Sequence, residues 1–253
     1  MQTWSSERGL SLVEATIILM VLATLATVIR PTIVAFANDA KQVTATKDVA
    51  SIGSAILQVL RDSGSRCLRL AGTTDCTMAN RVDLLVSGGA NPGSVLVADV
   101  TFDDNTAANQ GTFNWLPSTN APQAGQQDTI DDQLIENDNA TPYSTVSFPS
   151  AGGGPRMKLG WRGAYLNGPI GGDPWGNKYQ ANTIFLTVAT DAIDAGGNQS
   201  QEGLRETAWS RDTLILSAGA NGDVETSFGG ATAASGVSAG GDDVIYVIRG
   251  GSR

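Results

Sequence analysis

The chain has 253 residues, no histidine, and 16 Lys and Arg against 25 Asp and Glu, a formal net charge of −9. The missing histidine excludes Ser-His-Asp and Cys-His catalysis and any His-ligated zinc, and two cysteines are too few for a four-thiolate zinc site. With a sequence pI near 4.4 the chain has no general attraction to nucleic acid or anionic lipid, so no nucleic-acid partner is expected.

The apolar residues are unevenly placed. Leu10–Ile29 (LSLVEATIILMVLATLATVI) holds a single charged residue, Glu14, and opens a body rich in Gly, Asn, Ser, Thr and Asp. Twenty helical residues span about 30 Å, the thickness of a bilayer hydrocarbon core. Ser11, Thr16, Thr24 and Thr27 can bond their own backbone within such a helix. Glu14 is the exception, since a charge inside a membrane helix costs roughly 2.5–3.5 kcal/mol and usually marks a function or a partner. Three readings compete. A cleaved signal peptide would use Ala35-Phe36-Ala37 and start the mature chain at Asn38, but its apolar stretch is too long and contains Glu14. A plain N-terminal anchor leaves Glu14 accidental. The third reading takes Arg8-Gly9-Leu10-Ser11-Leu12-Val13-Glu14 as one unit: a short polar leader ending in Gly9, then an apolar run with Glu14 four residues beyond Leu10.

In this third reading the N-terminus resembles the type IV pilin superfamily, which includes the pseudopilins of type II secretion. The family's leader ends in Gly and its apolar run carries Glu at the fifth mature position; Gly9, Leu10 and Glu14 match in place. The resemblance implies cleavage between Gly9 and Leu10 by a membrane prepilin peptidase, which then methylates the Leu10 amino group. Family members most often have Phe where this chain has Leu10. Pro31, twenty-one residues after Leu10, matches a helix-breaking proline in many members. The family also implies a role for Glu14. In a filament, the freed amino group of a neighbouring subunit's first residue would compensate its buried carboxylate.

Helical periodicity continues past Pro31. Val49, Ile52, Ile56, Val59 and Leu60 fall at helical spacing, and Ser63-Gly64 is a stop signal. Leu10 to Asp62 is 53 residues, or about 80 Å as one helix, which Pro31 should kink or locally melt. The organisation expected is a leader (1–9), a transmembrane and filament-core helix (10–30), and a body (31–253) that begins with an amphipathic helix (31–62). An independent core helix after a linker is the alternative for that second half.

Cys67 and Cys76 follow the helix and can form a disulfide if the body lies outside the cytoplasm; otherwise they are two unpaired thiols. Residues 83–160 are polar and turn-rich. They read as an ordered but variable insertion, with disorder as the alternative, containing strand candidates at Ser94–Thr101 and Tyr143–Phe148. Phe113 and Trp115 are candidate docking residues within it. Ile184–Ala189, Thr213–Ala218 and Val244–Ile248 are apolar, β-branched runs bounded by turn residues. They predict an antiparallel C-terminal sheet (about 160–253) packed on the helix, an α+β fold.

Gly160-Trp161-Arg162-Gly163-Ala164-Tyr165-Leu166 and Asp173-Pro174-Trp175-Gly176-Asn177-Lys178-Tyr179 read as aromatic-pinned turns leading into that sheet, with a sugar- or peptide-binding patch as the alternative. These two segments are similar to the body of major pseudopilins of type II secretion, which carry a Gly-Trp-x-Gly-x-Tyr-Leu segment and an Asp-Pro-Trp-Gly-Asn-x-Tyr turn. A third match is Ser217–Asp223 followed by Gly240-Gly241-Asp242-Asp243. The resemblance implies a pilin-like fold and a calcium ion bound by this loop, with Asn221, Asp223, Asp242 and Asp243 as ligands. Asn221 stands where the family usually has Asp, and the loop from Val224 to Gly240 is expanded. Calcium takes six to eight oxygens, which a Gly-rich loop with paired Asp residues can supply.

The function implied is a structural subunit, not an enzyme. It would form a periplasmic homo-oligomeric filament with other pseudopilins, fed from the bacterial inner membrane by an assembly platform and its cytoplasmic ATPase. The chain has no phosphate-cradling P-loop of its own. The nearest alternative is a type IV pilin, major or minor, serving adhesion, motility or DNA uptake. From another class comes a membrane-anchored extracytoplasmic enzyme, for which Asp103/Asp104 and Asp131/Asp132 are the carboxylate pairs, although adjacent carboxylates in polar loops are ordinarily solvated turns.

Overall fold

A computed structural model of the chain describes residues 11–65, 67–73, 80–96, 100–102, 111–116, 127–137, 143, 160–186, 212–229 and 238–248. It divides into two compact units, Met1–Val43 and Thr44–Arg253.

The helix α1 runs from Leu12 to Ser63. Pro31 lies inside it and does not melt it. One proline deletes one amide from the ladder, and the turns on either side keep their own bonds. In the first unit the apolar side chains from Leu12 to Val43 are exposed. The hydroxyls of Thr16, Thr24, Thr27 and Thr32 each donate to the carbonyl three residues earlier, at 2.6–2.8 Å. This segment is long and apolar enough to cross a membrane. These threonine hydroxyls are satisfied within the helix, as a lipid environment demands.

In the second unit the helix becomes amphipathic. Ala45, Val49, Ile52, Ala55, Ile56 and Val59 form its buried stripe. Gly64, with φ of 67°, ends it in the left-handed conformation that glycine adopts without a Cβ penalty.

The stripe packs on a five-stranded sheet of order β4-β1-β5-β6-β7. Its strands are β1 (Leu84–Val86), β4 (Gln127–Thr129), β5 (Gln180–Ala181), β6 (Thr213–Ser217) and β7 (Val244–Ile248). The sheet is mixed, not purely antiparallel. β1 and β4 pair in parallel, with Leu84 opposite Gln127, and the other three pairs are antiparallel. Two of its strands come from residues 83–160, the stretch expected to be an insertion. A separate antiparallel pair joins β2 (Val100–Phe102) to β3 (Gly111–Phe113).

β6 is buried along its whole length. Ile215 faces α1 with Leu85, Ala181, Val244 and Ile248. Leu214 and Leu216 point the other way, onto Leu84, Val86, Trp115, Ile184, Phe185 and Phe228. Irregular segments therefore cover the sheet face opposite the helix, which is why these strands read as continuous apolar runs. Trp115 docks there. It is fully buried, donates Nε1–H to Thr226 O at 2.8 Å and meets the Phe228 ring edge-on at 5.0 Å.

Ile184–Ala189 is not a strand in its described part. The sheet segment ends at Ala181, and Thr183–Leu186 forms a 3-10 turn. Asn182 and Thr183 turn the chain there. The Leu214 amide donates to Asn182 Oδ1, and Thr183 Oγ1 donates to Val82 O. Ser94–Leu96 runs parallel beside Val224, while Val100–Phe102 forms β2. Of Tyr143–Phe148 only Tyr143 is described, and it is buried.

Candidate functional site

Gly9 and Leu10 lie outside the described residues. Glu14 sits in the first turn of α1 in a reciprocal cap. Ser11 N–H donates to Glu14 Oε2 at 2.9 Å, and Glu14 N–H donates to Ser11 Oγ at 3.2 Å. The Ser-x-x-Glu spacing is that of a capping box.

Cys67 is disulfide-bonded and buried. Cys76, the other cysteine of the chain, lies outside the described residues. Around Cys67 the backbone closes as a narrow ladder, with Leu70 N–H bonded to Asn80 O and Val82 N–H to Leu68 O.

The two aromatic segments pack on α1. Trp161, Tyr165 and Trp175 lie against the helix-side core, and the Trp161 and Tyr165 rings meet edge-on at 4.7 Å. Asp173, buried, anchors the Asp173–Tyr179 turn. Its Oδ1 accepts the amides of Trp175 (3.0 Å) and Asn177 (2.8 Å), and its Oδ2 accepts the Ser217 hydroxyl (2.6 Å). Tyr179 follows and donates its phenol hydrogen to Asp48 of α1. Asp131 bonds the Ile170 amide through Oδ1. Asp103 and Asp104 lie outside the described residues.

The acidic C-terminal loop is held by its own carboxylates. Asp242 Oδ2 accepts the amides of Ala220 (2.7 Å) and Asn221 (3.0 Å). Asp243 Oδ2 accepts those of Glu225 (2.9 Å) and Thr226 (2.7 Å). Each carboxylate thus spends one oxygen tying the loop after β6 to the start of β7. The other oxygen of each, Oδ1, is buried and has no hydrogen-bond partner, and neither has the buried Glu225 Oε2. Burial pushes the Asp243 carboxyl above the usual range; bonds from Thr226 and Glu225 oppose this, and the Glu225 charge adds to it.

Glycine makes the approach possible. A Cβ on Gly219 would collide with Asp242, one on Gly240 with the Glu225 backbone, and one on Gly241 with the Glu225 carboxylate. Gly219 and Gly241 also have φ of 65° and 45°.

Asn221 and Asp223, the other two expected ligands, are engaged elsewhere. Asn221 Oδ1 accepts the Asp223 amide at 2.8 Å, and Asp223 Oδ1 accepts the Ser94 hydroxyl at 2.7 Å. Glu225 was missed by sequence reasoning; the signal available was a second acidic residue in Asn221–Glu225. Buried, unpartnered carboxylate oxygens on a glycine cradle suit a hard cation that takes oxygen ligands. Among the described residues no group of three or more acidic side chains is placed to hold a metal ion.

Compared with protein-family models, with curated proteins and with solved structures, the chain has no match in any of the three.

Proposed function

We propose that the chain is a structural subunit of a pilin-like filament, of the pseudopilin kind that serves type II secretion. The observation that carries this reading is the change of character along α1. Its first part exposes Leu12–Val43 with Glu14 in the opening turn, and its second part buries a stripe on the sheet. An apolar helix that lies in lipid before assembly and in a filament core afterwards needs this division. The body would stand in the periplasm, where the Cys67 disulfide persists.

On this reading a prepilin peptidase cuts between Gly9 and Leu10 and methylates Leu10. The inner-membrane platform and its ATPase then lift the subunit into the filament. Glu14 exchanges its cap with Ser11 for the amino terminus of a neighbouring subunit. Calcium belongs to the same reading: Asp242 and Asp243 would hold it, and the ion would supply the positive charge that their buried Oδ1 atoms lack.

The deciding measurement is intact mass of the protein purified from its native membrane. We expect a chain beginning at Leu10 and heavier by one methyl group. A chain beginning at Asn38, or one retaining Met1, would overturn the reading. Glu14→Ala should leave membrane insertion intact and abolish filament assembly.

A further inference from the structure

We propose that Asn221 is a self-modifying residue: its carboxamide cyclises onto the Gly222 amide nitrogen, and the resulting imide hydrolyses to an acidic residue.

The sequence holds two Asn-Gly pairs, Asn167-Gly168 and Asn221-Gly222. Asparagine before glycine is open to this reaction because no Cβ on the following residue shields its amide nitrogen. Both asparagines are exposed, so access to solvent does not separate them. Their hydrogen bonds do. The Asp223 amide donates to Asn221 Oδ1 at 2.8 Å, which folds the Asn221 side chain back along the peptide that joins it to Gly222. Asn167 has no side-chain hydrogen bond among the described residues. The Gly222 amide hydrogen has no partner among the described residues either, so no bond within the loop competes for the attacking nitrogen.

The step needs no oxidant or reductant. Solvent base takes the Gly222 amide proton. The nitrogen lone pair forms a bond to Asn221 Cγ, and negative charge gathers on Oδ1. The Asp223 N–H already points at that oxygen and stabilises it, as backbone amides stabilise an oxyanion in acyl transfer. The Cγ–Nδ2 bond then breaks, and Nδ2 leaves as ammonia with a proton from water. Water finally adds to one of the two imide carbonyls and breaks its bond to the ring nitrogen. Opening at Cγ gives aspartate with an ordinary main chain. Opening at the main-chain carbonyl gives a β-linked aspartate.

Either product places a new negative charge beside Asp242, whose Oδ2 accepts the Ala220 and Asn221 amides. The β-linked product also inserts a methylene into the main chain before Gly222. The tie between the loop after β6 and the start of β7 therefore loosens as the protein ages.

The test ages the detergent-solubilised full chain at mildly alkaline pH, once folded and once in concentrated urea. Mass spectrometry of the peptides carrying Asn221 and Asn167 then follows the replacement of NH2 by OH, and fragmentation identifies the β-linked product. In the folded chain Asn221 should convert roughly tenfold faster than Asn167, the worth of one hydrogen bond to a charged oxygen. In urea, where the Asp223 bond is lost, the two rates should converge. A folded-state preference for Asn221 no greater than that in urea would overturn the proposal, because neighbouring sequence rather than the fold would then set the rate. An Asn221 that stays intact in the folded chain would overturn it outright.

Discussion

Tyr179 Oη donates to Asp48 Oδ2 at 2.7 Å, fixing the end of the Asp173–Tyr179 turn to the buried side of α1. Tyr179 is itself 1% exposed. Burial first, and then the bond and charge of Asp48, push its phenol well above the usual range. The folded state therefore favours the neutral phenol. This stabilisation is complete below about pH 10, the pKa of an unfolded tyrosine, and is lost as pH rises beyond it toward the folded value. Tyr143 and Tyr165 are shifted the same way, each chiefly by burial. Tyr179→Phe should cost about 1.5–3 kcal/mol at neutral pH, the worth of a hydrogen bond to a charged group. It should also flatten the loss of stability in alkali. Urea melts of both proteins at neutral and strongly alkaline pH check this, and equal alkaline slopes would contradict it.

Gly53 is an apparent helix weakness with a packing purpose. A Cβ there would meet Cδ1 and Cε1 of Tyr246 on β7. Gly53→Ala gains about 1 kcal/mol of helix propensity. The collision costs roughly 1–3 kcal/mol as overpacking, so the net change should be destabilising. In a Tyr246→Val background the same substitution should cost far less, because the ring is gone and only Ile215 Cδ1, 3.2 Å from the added Cβ, must give way. Additive effects in the double variant would show that the two residues are not coupled.

The parts of this fold that sequence made legible are those whose causes are local. The stripe from Val49 to Val59, the Gly64 stop and the apolar runs of β6 and β7 each announce themselves within a few residues. β1, β4 and β5 have two or three residues each and are fixed by partners far away in the chain. No window around Gln127–Thr129 reads as a strand, because its place depends on pairing with Leu84–Val86. Ile184–Leu186 misled for the opposite reason. Ile184 and Phe185 belong to the core on the sheet face away from α1 and Leu186 packs on the helix side, but Asn182 and Thr183 divert the backbone. At the acidic loop, the resemblance singled out Asn221, Asp223, Asp242 and Asp243; the hydrogen bonds that engage Asn221 and Asp223 depend on the folded loop and on Ser94, far away in the chain.

Arg81 and Asp83 form a buried ion pair, with Nε donating to Oδ1 at 2.7 Å and both side chains at most 2% exposed. The pair stands between the ladder at Cys67 and β1. Asp83→Asn removes the carboxylate that Arg81 Nε bonds and should cost about 3–5 kcal/mol, the scale for breaking a buried ion pair. Replacing both residues, Arg81→Met with Asp83→Leu, should recover most of that loss, since the charges then leave together. Thermal melts of the single and double variants test this; a double variant as weak as the single would mean the pair does more than balance charge.

Asp173 gathers three donors from two pieces of chain through one carboxylate. Oδ1 holds the amides of Trp175 and Asn177, and Oδ2 holds Ser217 at the end of β6. Asp173→Ala removes every acceptor and leaves two amides of a half-exposed turn without their partner. The expected loss is about 2–4 kcal/mol, more than one ordinary hydrogen bond because several donors lose their partner together. Asp173→Asn should be far milder. Its amide oxygen can keep both backbone bonds, and the Ser217 hydroxyl can turn to accept from the new NH2 group. The two variants therefore separate the loss of acceptors from the loss of charge. Near-equal destabilisation in urea would assign the effect to charge instead. Hydrogen exchange at the Trp175 and Asn177 amides should quicken in the Ala variant and stay slow in the Asn variant.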